Sequence, residues 1–159
     1  MEKRTFTYIA LGLLVWAISG TAVAGYYLAQ YNTYQNEYES LASEMESILL
    51  VNIFTSYDNG TKVWYNNTAL PVGSTAFKAI LAIADIKYTD YGEDLGILVT
   101  SINGVVSNST YGWLYWGWDA ENSKWELPEY SASKYILHRG DTIAFAYESY
   151  ATWPPLPPT

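Results

Sequence analysis

An apolar run extends from Phe6 to Leu28, FTYIALGLLVWAISGTAVAGYYL, and no Asp, Glu, Lys or Arg occurs between Thr5 and Asn36. At about 1.5 Å per residue, such a run is long enough for a helix to cross ~30 Å of hydrocarbon. Beyond it the period changes. Tyr27, Tyr31, Tyr34, Tyr38, Leu41, Met45 and Ile48 recur at alternating spacings of four and three, the rhythm that turns one helical stripe toward a partner. Glu37, Glu39, Glu44 and Glu46 fall off that stripe, as a solvated face requires, and no Gly or Pro interrupts residues 26–50. The pattern predicts one continuous helix to about Leu50, roughly 65 Å long.

After residue 50 the alternation is that of strands. Val51–Thr55 and Lys62–Tyr65 read as a hairpin around Asp58-Asn59-Gly60, a turn that tolerates positive φ. Ser74 stands as an N-cap, and Phe77, Ile80, Leu81 and Ala84 follow at helical spacing, predicting an amphipathic helix from Thr75 to Ile86. Gly96–Ile102, Tyr111–Trp118, Lys134–Leu137 and Asp141–Tyr147 read as further strands, with turns at Asn103-Gly104 and Arg139-Gly140-Asp141. The fold class is therefore α+β. A long N-terminal transmembrane and coiled helix precedes a small β-grasp-like domain, ββα and then further strands. Residues 1–29 form the transmembrane helix, 30–50 the extracytoplasmic heptad helix, 51–150 the β-grasp-like domain and 151–159 a Pro-rich tail.

Three short runs give the domain a resemblance. Ile102-Asn103-Gly104, then Tyr111-Gly112-Trp113-Leu114-Tyr115-Trp116, then Tyr135 to Phe145 around Gly140-Asp141 occur in that order. In this the chain resembles the transcobalamin C-terminal-like family of β-grasp domains over roughly Val51 to Tyr150. The family pattern is an ING strand, a GW strand with an aromatic run, and a final hairpin built around a GD turn. The resemblance implies a non-catalytic extracytoplasmic module, tethered to a membrane or appended to a larger surface protein. In transcobalamin-like relatives the domain helps to enclose a corrinoid; this sequence departs from them in lacking the large helical domain that completes such a pocket.

Charge sets the orientation. Lys3 and Arg4 precede the apolar run, whereas 6 Lys+Arg and 15 Asp+Glu follow it, which places the N-terminus in the cytoplasm and the rest of the chain outside. The N-x-[ST] sequons at Asn59, Asn66 and Asn108 all lie on the outer side, as candidate glycosylation sites. A cleaved signal is the rival reading, because Ala22-Val23-Ala24 before Gly25 fits a small-residue cleavage site and would make the protein secreted. Retention is favoured by an apolar run that continues past the cut through Tyr26, Tyr27 and Leu28. Lys3-Arg4-Thr5-Phe6 does not supply the small residue that a pilin-type cut needs.

With 159 residues there is room for about one folded domain beyond the helix. Half of the residues are hydrophobic and 17% are aromatic, too apolar for a disordered chain. A net charge of −8 argues against nucleic acid as a partner, and the absence of cysteine removes disulfides, thiolate nucleophiles and thiolate metal sites. His138 is the only histidine, so no Ser-His-Asp triad with a spare base and no H-E-x-x-H site can be assembled. Asp85, Asp90, Glu93 and Asp94 offer oxygen ligands without an EF-hand pattern, and read as a solvated loop; Asp119 and Glu121 have the same status. No metal or cofactor is expected, and no enzymatic activity.

Two surfaces carry the candidate function. The stripe Tyr27, Tyr31, Tyr34, Tyr38, Leu41, Met45, Ile48 is a contact site for other protein subunits, homo- or hetero-oligomeric; packing on the chain's own domain is the alternative. Trp116, Trp118 and Trp125 could stack on a ligand, and alternation sets Trp113 and Tyr115 on one sheet face, with Leu114, Trp116 and Trp118 on the other. The tail from Trp153 to Thr159 reads as an extended strap. The sequence thus describes a single-pass, membrane-anchored accessory or structural subunit. A ligand-capture module for a corrinoid or glycan, and a surface filament or surface-layer subunit, are the alternatives.

Overall fold

The computed structural model describes residues 2–151 and 154–158; Trp153 and Thr159 of the tail and the side chain of Lys3 lie outside the described residues. The chain divides into two compact units, Met1–Met45 and Glu46–Thr159. The first is a helix, α1 (Glu2–Glu46), whose side chains from Arg4 onward are exposed apart from half-buried Ala42. It is the one helix among the described residues long and apolar enough to cross a membrane, a property that an anchor and a signal sequence share.

The helix stops at Glu46, short of the expected Leu50, and Ile48 leaves the predicted stripe to open strand β1 (Ile48–Ser56). The cause is a change of period. Leu49, Val51 and Ile53 are buried while Ile48 and Leu50 are exposed, so the core selects a repeat of two over the helical repeat. Arg139 Nη2 donates to the Ile48 carbonyl at 2.6 Å and Gly140 N–H donates to the Leu50 carbonyl at 2.8 Å, which ties the start of the strand to the head.

β1 pairs antiparallel with β2 (Lys62–Pro71), which runs well beyond the expected Tyr65. The turn between them closes as foreseen: Asn59 Oδ1 accepts the Thr61 N–H at 2.9 Å, and Gly60 sits at φ +79°. The register slips between Val51 and Ile53, where Asn66 and Asn67 together face Asn52, and Asn67 takes φ +53°. This is a β-bulge.

Helix α2 (Ala76–Ile83) follows, with Thr75 rather than Ser74 as its N-cap; Thr75 Oγ1 accepts the Lys78 N–H at 3.3 Å, while Ser74 is buried. The first-turn amides of Ala76 and Phe77 donate to the carbonyls of Tyr135 and Ala132 at 3.0 and 2.8 Å. This explains why Lys134–Leu137 forms no strand and keeps only a bridge between Thr75 and Ile136. The segment is spent on finishing a helix end. The Gly140-Asp141 turn accordingly leads into strand β8 (Thr142–Ser149) without a hairpin partner before it.

The stretch DIKYTDYGED, expected to be a loop, contains strand β3 (Ile86–Asp90) and a single turn of helix, α3 (Gly92–Leu95). β3 pairs with β4 (Ile97–Ile102), and β4 turns at Asn103-Gly104, φ +49° and +85°, into β5 (Val105–Val106). β6 (Tyr111–Asp119) and β7 (Lys124–Glu126) complete the set. The main sheet has the order β2-β1-β8-β6-β7, with β1 and β8 parallel at its centre, and β3-β4-β5 form a second sheet. A hairpin, a crossing helix and a final strand returning beside the first is the β-grasp arrangement, and the class is α+β as the pattern predicted.

One face of the main sheet packs under α2. Val51, Ile53, Ala76, Phe77, Ile80, Ile102, Trp113, Ile143 and Phe145 form its centre. Burying each large apolar side chain there contributes about 1.5–3 kcal/mol. Trp113 is 2% exposed, and its indole N–H donates to the Val105 carbonyl at 2.8 Å, whereas the buried indole N–H of Trp116, on the other face, has no partner among the described residues. The other face carries a smaller cluster of Phe54, Trp116, Ala144 and Ala146.

Candidate functional site

Two of the concave aromatic surfaces among the described residues of the head bear on function. The first is a cleft of about 400 Å³ walled by β4, the middle of β6 and the segment Leu127–Ala132. Leu95, Leu98, Tyr91 and Tyr130 stand exposed around it, whereas Trp113 and Phe145 form its buried floor. Tyr115 also lines the cleft, and its hydroxyl is buried with no hydrogen-bond partner among the described residues. Burial, with Tyr135 and Asp141 nearby, pushes this phenol far above its ordinary value, so it stays protonated and available as a donor.

The second surface lies on the opposite face of the main sheet. Phe54 packs on Trp64 with ring centres 4.7 Å apart, Trp125 stacks on Phe54 at 6.1 Å, and Trp118 meets Trp125 edge-on at 5.1 Å. The alternation of β1, β2 and β6 brings these rings to one side. A depression of about 450 Å³ is lined by Trp64, Trp118 and Trp125 together with Asn52, Asn66 and Thr142. Trp64 is 50% exposed and Trp118 39%, whereas Trp116, one of the three tryptophans singled out from the sequence, is 3% exposed within the second cluster. Trp116 is core, not platform. Trp64 was missed, although it stands two positions before the Asn66 sequon, a signal in the sequence that could have found it.

On the stem, Tyr27, Tyr31, Tyr34, Tyr38, Leu41 and Met45 are all at least 60% exposed. Of the sequons, Asn59 lies in the β1–β2 turn, Asn66 on β2, and Asn108 before β6, where its Oδ1 accepts the N–H groups of Thr110 and Tyr111 at 2.8 Å.

Among the described residues no three His, Asp or Glu side chains stand together as metal ligands. His138 is largely exposed, 3.7 Å from Asp141. Asp119 holds the β6–β7 turn by accepting the N–H groups of Glu121 and Asn122 and the Asn122 amide; the side-chain bond to Asn122 is the main cause that lowers its pKa. In the tail Pro155 and Pro158 are buried and Leu156 is exposed.

The fold and these two aromatic surfaces define an α+β head of the β-grasp kind. Residues 73–149 match a family model described as a domain of unknown function, DUF4430. Among solved structures, the chain is similar to haptocorrin in complex with Cbi, at 15% identity and a TM-score of 0.53, over 65% of this chain and 26% of that one. This chain thus corresponds to about a quarter of the haptocorrin chain, and the likeness is one of fold. A protein from Ruminococcus gnavus ATCC 29149, named provisionally as metal binding, aligns over 64% of this chain and 97% of its own at 10% identity and a TM-score of 0.46. No curated protein matches significantly.

Proposed function

We propose that this chain is a single-pass, membrane-anchored accessory subunit of a cell-surface assembly, non-catalytic, with its head outside and its stem packed against other subunits. The observation that carries this reading is the exposed stripe on α1. Six large side chains from Tyr27 to Met45, each at least 60% exposed, extend an apolar span by five helical turns. A contiguous apolar patch of that length is an association surface, and tyrosine gives it wide, amphipathic knobs suited to a hetero-complex. Gly12, Gly20 and Gly25 leave open space along the helix, where another helix can approach closely.

The test is purification in mild detergent with photo-crosslinkers at Tyr34 and Tyr38, followed by mass spectrometry. Capture of a neighbouring chain is expected. Crosslinks confined to residues 51–150 of the same chain would overturn the stem's role, and a mature chain that begins at Gly25 would overturn the anchor.

A second reading, ligand capture, is favoured by the cleft at Leu95, Leu98 and Tyr130, whose volume falls in the range of small-molecule sites. The unpaired Tyr115 hydroxyl would gain a partner from a bound polar group. Haptocorrin, the similar fold, is described in complex with Cbi, so a corrinoid is the first ligand to try. Titrating the detergent-solubilised chain with a corrinoid while following tryptophan emission decides it: saturable quenching that Leu98→Asp abolishes supports capture, and no quenching removes this reading.

A further inference from the structure

We infer that Asn66 carries an N-linked glycan whose first sugar lies on the face of Trp64, so that the aromatic shelf on the outer sheet face is covered by the chain's own modification. The sequence there is Trp64-Tyr65-Asn66-Asn67-Thr68, a sequon with an aromatic residue two positions before the asparagine. On a strand, positions 64 and 66 share a face, and both line the depression that Trp118 and Trp125 also line. β2 is an edge strand, so the approach is open. The bulge at Asn66-Asn67, with Asn67 at φ +53°, lifts the asparagine out of the regular ladder.

Tyr57 likewise stands two positions before Asn59, and Asn108 lines a depression with Tyr111 and Tyr147, but the Tyr57 ring packs edge-on against Trp113 at 5.3 Å with its hydroxyl accepting the Asn103 amide at 2.8 Å, and both asparagine side chains are already engaged. Asn59 uses its side-chain oxygen to close a turn, and the Asn108 side chain accepts two backbone N–H groups while its amide donates to Tyr147 Oη at 3.3 Å. The Asn66 side chain makes no hydrogen bond among the described residues. A pyranose ring carries a face of C–H groups, and an indole face is electron-rich, so the two stack while the hydroxyls stay at the rim. Asn52 and Thr142, joined by a 3.3 Å hydrogen bond, supply polar groups at that rim. The shelf is large enough, at about 450 Å³, for the glycan to continue toward Trp118.

The co-reactant is a lipid phosphate-linked oligosaccharide. Asn66 Nδ2 forms a bond to the anomeric carbon, the anomeric C–O bond breaks, the lipid phosphate leaves with the electron pair, and one Nδ2 proton passes to a base on the transferase. Nδ2 keeps its second proton, and the amide remains neutral.

The inference rests on the extracytoplasmic head of the proposed function, and the experiment separates the two. Full-length chain from the membranes of its own cells is digested with trypsin, which cuts at Lys62 and so places Asn59 and Asn66 on different peptides. Glycopeptide mass spectrometry is expected to find sugar on Asn66. Sugar on Asn59 or Asn108 with Asn66 bare overturns this inference and leaves the extracytoplasmic reading standing. Bare sequons throughout, with the head inaccessible to protease added to intact cells, overturn both; bare sequons with an accessible head overturn only this one.

Stacking is read by a thermal cycle. Trp64→Ala should lower the melting temperature of the glycosylated chain by roughly 4 °C more than it does in the Asn66→Gln background. Trp64→Phe, which keeps an aromatic face, should recover most of that difference. Equal shifts in the two backgrounds would overturn the contact. Saturable quenching of a bare shelf by free oligosaccharide would make it a capture site and defeat the proposal.

Discussion

Gly96 shows how one residue sets local geometry. It sits at φ +77°, and a Cβ there would meet Ser131 Oγ and lie 2.6 Å from Ser133 Oγ, the hydroxyl that accepts the Ile97 N–H. Gly96→Ala is expected to cost ~1–3 kcal/mol through the disfavoured backbone alone, read by chemical denaturation of the full chain. Glu148 gives a pH signature. Burial raises its pKa above the ordinary 4.5, so the folded head holds this proton more tightly than the unfolded chain does. The penalty for ionising it is therefore complete at neutral pH, and it shrinks as pH falls through the raised value toward 4.5. Glu148→Gln should raise the melting temperature at pH 7, and the gain should disappear once both states are protonated. An Asp119 test runs the other way. Its lowered pKa means that its hold on Glu121 and Asn122 is full above 3.8 and is lost as pH falls through the depressed value, visible in the amide shifts of those residues.

Among elements, the junction of stem and head departs most from the sequence pattern. Met45 to Ile48 keeps the helical count of three, so spacing alone extends the helix. Burial decides otherwise: Leu49 is 3% exposed and Ile48 39%. Leu49→Ala should cost ~2–5 kcal/mol and Ile48→Ala far less, a contrast that a continuing helix would not produce. The strand expected at Lys134–Leu137 was lost for a different reason. Its carbonyls satisfy the first turn of α2, an obligation set by tertiary placement and invisible in a local pattern. The β3 strand was overlooked because Ile86–Asp90 is polar and largely exposed, so its sequence carries the signature of a loop while its backbone is held by β4.

For the whole molecule, the division into two units has an energetic consequence. Replacing Tyr34 and Tyr38 by Ala should leave the melting of the head within ~0.5 kcal/mol of the parent, since these positions are exposed. The same substitutions should weaken co-purification of partner chains. Loss of head stability without loss of a partner would assign the stripe to intramolecular packing.

Periodicity by itself determined the apolar helix, the exposed tyrosine stripe up to Met45, the first hairpin, the helix over the sheet and the α+β class, because each depends on which side of a local element meets the core. Alternation likewise divided the β6 tryptophans between two faces. It could not say which face would be covered. Trp116 is buried because Phe54, Ala144 and Ala146 arrive from neighbouring strands, and Trp64 reaches the shelf of Trp118 and Trp125 from an edge strand more than fifty residues away in the chain. The parallel pairing of β1 with β8, the second sheet and the cleft beside Tyr115 are likewise products of long-range contact. They depend on where distant segments meet in space, which no local period records.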